Sequence, residues 1–313
     1  MMIEDNEMLN KIEILKNCSY IEQDFRGHSH AIRYIAGDNG NKYFIKILNG
    51  NRKESLNWIN DIYQSLSVPT AEIQEIGYLE NVDKTYIIFE YLEGNTLREL
   101  TKKASAKELE DIGIEIGASL AKFQQIKANK DDVINLYEEE FEKLITNLLA
   151  MVRYCQQNEQ EELGKIDIER LCKNFHKLKK IIYETTPFFI HGDINLNNVI
   201  VKENRPYFVD IEGGKFSFQA FDFRGICWWT WEGENRKEEQ AIYRGVFKGL
   251  FNKKVPDKFH QELACTVIYE FLLKVNEVNE TKDMKRLEYL FQKFGDIFNR
   301  TDYFESYQFD WVL

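Results

Sequence analysis

The feature that most restricts this chain is the run FFIHGDINLNNVIV at 188–201, followed by PYFVDIEGG at 206–214. Two short stretches of β-branched and aromatic residues, 188–190 and 199–201, flank a loop of polar turn-formers, and a third stretch follows at 207–209. That pattern predicts short buried strands joined by a polar loop. Asp193 and Asn198 fall in the loop and Asp210 at the end of the third strand. Three oxygen-bearing side chains are therefore expected to converge at strand ends.

Such a set suits phosphoryl transfer. Magnesium takes oxygen ligands in a near-octahedral shell, usually one or two side chains plus substrate phosphates and water. Asp210 as carboxylate and Asn198 as neutral amide oxygen fit that need. Asp193, between two hydrophobic anchors on a short loop, is placed to accept a hydrogen bond from a substrate hydroxyl and aim it in line at phosphorus. The form His191-Gly192-Asp193-x4-Asn198, with Asp210 twelve residues after the asparagine, resembles the catalytic and metal loops of the aminoglycoside phosphotransferase and choline kinase family. That family shares the protein-kinase fold. The resemblance implies an α+β, two-lobe kinase-like architecture, with a small β-rich N-terminal lobe at 1–93 and a larger, mostly helical C-terminal lobe at 94–313. ATP, with GTP as the alternative, and Mg2+ are the implied cofactors.

Composition sets the outer bounds. A chain of 313 residues, 43% hydrophobic and 30% charged, reads as an ordinary globular protein long enough for two lobes. The formal net charge of −11, with the acidity spread over both parts, argues against nucleic acid or an anionic membrane as partner. It is compatible with a cationic small-molecule acceptor. Five scattered cysteines without a C-x-x-C pair predict a reduced, cytoplasmic setting. The acidic amino terminus and the lack of any run of about 18 apolar residues predict neither a signal peptide nor a membrane span. Monomer and dimer both remain open.

Taken in order, the chain first predicts strands at 30–36 and 43–48 around the turn GDNGN at 37–41, a hairpin signal. The preceding turn, FRGHSH at 25–30, is where a kinase-like fold places its phosphate-covering loop, and Gly27 is its one glycine. His28 and His30 read as solvent-facing rather than as a metal pair. Lys46 lies within the apolar strand YFIKIL, where a lysine is costly unless it meets a carboxylate or phosphate. The resemblance makes it the lysine that holds the ATP phosphates, oriented by Glu54 from the next helix. Leu56, Ile59, Ile62, Tyr63 and Leu66 give that helix its spacing. An exposed strand face for Lys46 and a surface acid for Glu54 are the plain alternatives; in order with the catalytic loop, the ion pair is the favoured reading. Strand-like runs AEIQEIGYL and TYIIFEYLEG follow Pro69. By resemblance the second ends in the inter-lobe hinge, with Glu90 and Leu92 as backbone contacts to adenine.

Residues 95–184 read as helices, with long amphipathic stretches at 106–126, 133–157 and 162–184. The acidic run at 138–140 reads as a solvated helix face. Beyond Asp210 the chain has Asp-Ile-Glu and no Ala-Pro-Glu ending, which places it nearer the small-molecule branch than the protein kinases. Asp222 matches an aspartate that braces the catalytic loop in the family. Of Trp228, Trp229 and Trp231, at least two are expected in the core, with one open to stacking on a substrate. Further helices are expected at 235–252, 257–276 and 281–299. The resemblance thus implies a small-molecule kinase with Asp193 as base or orienting group. An aminoglycoside or related antibiotic is the first acceptor; choline, ethanolamine, homoserine or another metabolite is the alternative, as is a catalytically idle protein of the spore-coat type.

Overall fold

The computed structural model describes residues 9, 11–24, 31–37, 40–157, 166–230, 236–252, 254–305 and 309. Strands β1 (Tyr20–Gln23), β2 (Ile32–Gly37) and β3 (Lys42–Asn49) lead into helix α1 (Lys53–Ser65), then β4 (Ile73–Leu79) and β5 (Lys84–Glu90). Helices α2 (Leu97–Leu100), α3 (Ala106–Phe123), α4 (Lys130–Gln157) and α5 (Ile168–Tyr183) follow. Next come β6 (Phe188–Ile190), β7 (Val199–Lys202), β8 (Arg205–Phe208) and β9 (Lys215–Ser217). The chain continues through α6 (Ile226–Thr230), α7 (Arg236–Leu250), α8 (Asp257–Thr281) and α9 (Met284–Arg300). Among the described residues no helix is long and apolar enough to cross a membrane.

These elements form two compact units: Met1–Asn95 with Val199–Glu212, and Thr96–Asn198 with Gly213–Leu313. The segment 199–212, assigned to the C-terminal lobe in the sequence reading, clusters with the first unit.

The first unit is built on an antiparallel five-stranded sheet in the order β1-β2-β3-β5-β4. Its β-branched and aromatic residues cover both faces. Tyr34, Ile45, Ile47 and Ile88 are buried in one apolar cluster. Leu48, Leu56, Ile87 and Phe89 form another, against which Ile200, Tyr207 and Val209 pack. Lys46 lies opposite Ile87 in the β3–β5 ladder and is fully buried. The β7–β8 hairpin closes through Glu203 and Asn204, both at positive φ, which matches the right-handed twist of the strands it joins.

In the second unit the helix starts are set locally. Ser105 and Glu108 form a capping box, and Asp167 caps α5 at the Arg170 amide, satisfying amides that the first turn leaves open. Helices α3 and α7 approach closely because four glycines line their contact. A Cβ on Gly117 would lie 1.9 Å from the Val246 carbonyl oxygen, and one on Gly245 would lie 2.1 Å from that of Glu110. Arg244 Nε and Lys248 Nζ bind the Glu110 carboxylate at 2.9 and 2.7 Å across the same interface.

Helix α8 runs on to Thr281, five residues past its expected end, and α9 begins at Met284 rather than 281. The break falls at Lys282, which takes φ 56°, and Asp283 caps the next helix at the Arg286 amide. A left-handed residue without glycine leaves little trace in composition. Strand β9, which pairs antiparallel with β6, was also absent from the sequence reading; at three residues it is too short to show a period.

Candidate active site

The His-Gly-Asp loop lies in the second unit and is held from below by a buried carboxylate. Gly192 takes φ +91°, and a Cβ there would lie 2.4 Å from the Gly213 carbonyl oxygen, so both the backbone state and the space demand glycine. Its amide donates to Asp222 Oδ1 at 2.6 Å, and the Ile194 amide donates to the Asp222 backbone carbonyl at 2.9 Å. Asp222 therefore fixes the peptides on both sides of Asp193. Burial pushes its carboxyl up to about 7, against the opposing pull of the Gly192 and His191 amides.

This sets a pH dependence. Folded Asp222 binds its proton more tightly than the unfolded chain, whose ordinary value is 3.8. Its contribution to stability is full below about pH 4 and declines as pH rises through about 7, by up to about 4 kcal/mol. Asp222→Asn is expected to flatten that slope. Denaturant midpoints of wild type and variant at pH 5 and pH 8 measure it; the same pH dependence in both would remove Asp222 as the cause.

Within the loop Asp193 is half-buried and Asn198 buried. Asp193 Oδ2 accepts from Asn198 Nδ2 at 2.9 Å and from Asn195 Nδ2 at 3.0 Å. Asn198 Nδ2 also donates to the Asp193 backbone carbonyl at 2.9 Å. Two consequences follow. The carboxylate's rotation is fixed, with Oδ1 taking neither of these bonds. The Asn198 amide nitrogen is spent inside the loop, which leaves its oxygen as the atom suited to a cation. Asn195 was not singled out in the sequence; its place two residues from Asp193 in a turn-forming loop was the available signal.

The first unit carries Lys46 and the carboxylates that follow β8. Lys46 Nζ binds Asp210 Oδ1 at 2.5 Å and is also paired with Glu212. Burial works to lower the lysine's pKa, but the Glu212 and Asp210 carboxylates outweigh it and hold the ammonium above its ordinary value. Asp210 sits at φ 60°, an uncommon state for a residue other than glycine. Glu212 Oε2 is buried with no hydrogen-bond partner among the described residues. A carboxylate pair with one orphaned oxygen is donor chemistry suited to a hard divalent cation. Among the described residues no group of three His, Cys, Asp or Glu side chains is placed to hold a metal ion.

The Lys46–Glu54 pair expected from the sequence is not formed. Glu54 is exposed in the first turn of α1, whose buried face runs through Leu56, Ile59, Ile62 and Tyr63. Two residues before Leu56, Glu54 points about 200° around the helix from that face, and Lys46 turns instead to the carboxylates that follow β8. Glu212, missed in the sequence, takes the place given to Glu54. Glu90 pairs weakly with Lys202 at 3.8 Å; its amide donates to the Glu72 carbonyl, and the Tyr91 amide to that of Lys42. Leu92 is buried in the apolar cluster of Phe89 and Ile87.

Gly27, His28, His30, Trp231 and the side chain of Trp229 lie outside the described residues, as do Glu232 and Glu234, which by sequence are candidates for binding an amine. Trp228 is tied into the second unit, its indole donating to Glu270 at 3.1 Å and its ring meeting Phe294 edge-on. Glu138 binds the buried Lys179 at 2.7 Å, so that residue of the acidic run serves the α4–α5 contact.

A family model described as the phosphotransferase enzyme family matches residues 27–251. Among solved structures, the chain is similar to APH(2")-IIa in complex with gentamicin, with a TM-score of 0.62 and 17% identity over 94% of this chain and 95% of that one. It is similar to the aminoglycoside phosphotransferase APH(2'')-Ib with ADP, with a TM-score of 0.60 and 16% identity over 95% and 99%. A thermostable APH(4)-Ia mutant in ternary complex with AMP-PNP and hygromycin B gives 0.62 and 13% over 96% and 99%. At these identities the likeness is one of fold, and it bears out the α+β kinase-like architecture expected from the sequence. No curated protein matches the chain significantly.

Proposed function

The chain belongs to the phosphotransferase enzyme family, and we propose that it moves the γ-phosphoryl group of ATP to a hydroxyl of a small molecule, with an aminoglycoside or related antibiotic as the leading acceptor. The observation that carries this reading is the clamped Asp193 carboxylate, whose Oδ2 is occupied by two asparagine amides. A carboxylate so fixed can orient an acceptor hydroxyl and take its proton as the new O–P bond forms. The bond between the γ-phosphorus and the bridging oxygen breaks, and ADP leaves with that electron pair. Lys46 is assigned to the phosphates, as its burial beside two carboxylates supports. Asp210 and Asn198, which match the metal loop of the resembling family, would hold Mg2+, which would offset charge on the phosphate oxygens. With the Glu90 and Tyr91 amides already bonded, the Glu90 carbonyl and Leu92 amide are left for adenine. The acceptor class rests on two supports: similar structures hold gentamicin and hygromycin B, and a net charge of −11 favours a polycation.

Asp210→Ala tests the nucleotide side. Titration with a fluorescent ATP analogue is expected to show Mg2+-dependent binding in the wild-type protein that the variant loses. Equal Mg2+ dependence in both would remove Asp210 from the metal site. An absence of nucleotide binding by the wild type would favour a catalytically idle protein.

A further inference from the structure

We propose that Arg52 is a positioning residue, holding the turn that carries Asp210 and Glu212 through the Glu212 backbone carbonyl; the proposal rests on the phosphotransferase reading above. The Arg52 guanidinium, through Nη2, donates to the Glu212 carbonyl oxygen at 3.2 Å. The residue beneath that side chain is itself anchored. Its amide donates to Thr85 Oγ1 at 2.8 Å, and that hydroxyl donates on to the Gly50 carbonyl at 2.6 Å. Thr85 is fully buried on β5. The Arg52 carbonyl accepts the first helical bond of α1 from Leu56 at 3.0 Å and a second bond from Ser55 Oγ at 2.9 Å. With its backbone fixed at these points, the arginine has fewer arrangements to lose when its fork engages the turn.

The turn needs such support. Asp210 holds φ 60°, a state that persists in a non-glycine residue only where surrounding contacts determine it. Lys46 holds the turn through the Asp210 and Glu212 side chains. Arg52 holds its backbone. In this chain α1 therefore reaches the site through the residue at its head, and Glu54 on its outer face has no part in it.

The test compares wild type, Arg52→Lys, Arg52→Ala and Thr85→Val by titration with a fluorescent ATP analogue, without Mg2+ and then at rising Mg2+. Melting temperatures are recorded alongside. Arg52→Ala is expected to need roughly 10- to 100-fold more Mg2+ for equal occupancy, the scale of losing an outer support of a metal site, with metal-free binding close to wild type. Arg52→Lys recovers part of the loss, because the charge remains and the planar fork does not. Thr85→Val moves the same way by less. Should Arg52→Ala not fold, the lysine and valine variants carry the same comparison. An unchanged Mg2+ requirement would overturn the role of Arg52 and leave the phosphotransferase reading standing. A uniform loss of binding with and without Mg2+ would overturn it too, by making Arg52 a general support. A wild type without Mg2+-dependent binding would overturn both.

Discussion

Asp193→Ala is expected to lower acceptor-dependent ADP release by roughly two to four orders of magnitude, the scale of a lost general base, while the protein still binds nucleotide. In the proposed reaction the carboxylate acts on the acceptor, so its loss falls on turnover more than on ATP affinity. The hydrogen bonds within the loop allow a finer distinction. Alanine also releases the amides of Asn195 and Asn198 from Oδ2, which leaves the Asn198 oxygen less firmly oriented. Asp193→Asn keeps an oxygen for those amides but no base. Both variants should lose turnover, and the asparagine variant should keep the wild-type Mg2+ dependence of nucleotide binding more closely. Steady-state rates beside binding titrations measure both; full turnover in either variant would remove Asp193 from the catalytic step.

Gly117→Ala should be the most damaging small change to the fold. Helix propensity alone argues the other way, since alanine is better than glycine in a helix interior by about 1 kcal/mol. Packing decides the sign, because the added Cβ would lie 1.9 Å from the Val246 carbonyl oxygen and 2.6 Å from the Leu250 amide nitrogen. These are backbone atoms of α7 and have no rotamer with which to yield. The helices must separate, at a cost of about 3 kcal/mol or more, at or above the usual range for overpacking. Gly245→Ala, facing Glu110 from the other helix, should behave alike. Gly40→Ala, where a Cβ meets nothing within 4 Å, is the control. Chemical denaturation of the three variants checks this, and a stabilised Gly117→Ala would show that the helices do not pack so closely.

Those glycines show where the sequence was hard to read. Apolar periodicity found Leu109, Ile112, Ile116, Leu120 and Phe123 of α3, all buried except the half-buried Ile112. It passed over Gly113 and Gly117, which are also buried and fix how near α7 can come. Residues without side chains carry no hydropathy signal. The His-Gly-Asp loop was legible because local chemistry dictates it: strand formers on both sides and polar residues at fixed offsets. Asp222 was legible only through resemblance, and its amide bond to Gly192 supplies the physical reason. The Lys46–Glu54 pair was read from the order of motifs, although the spacing of Leu56 and Ile59 already set Glu54 on the outer face. Partners across thirty or more residues, such as Arg52 with Glu212 or Trp228 with Glu270, depend on tertiary placement, which periodicity does not encode.

The most direct measurement is transfer of label from γ-32P-ATP in the presence of Mg2+ to a panel of aminoglycosides, choline, ethanolamine, homoserine and simple sugars, with ADP release followed in parallel. Label is expected on the hydroxyl of one acceptor class, an aminoglycoside first, with ADP formed in equal amount and neither product seen with Asp193→Ala. Label on choline, homoserine or a sugar instead would keep the reaction and change the substrate. Nucleotide bound but no label moved to any acceptor, or label appearing on protein, would contradict a small-molecule phosphotransferase.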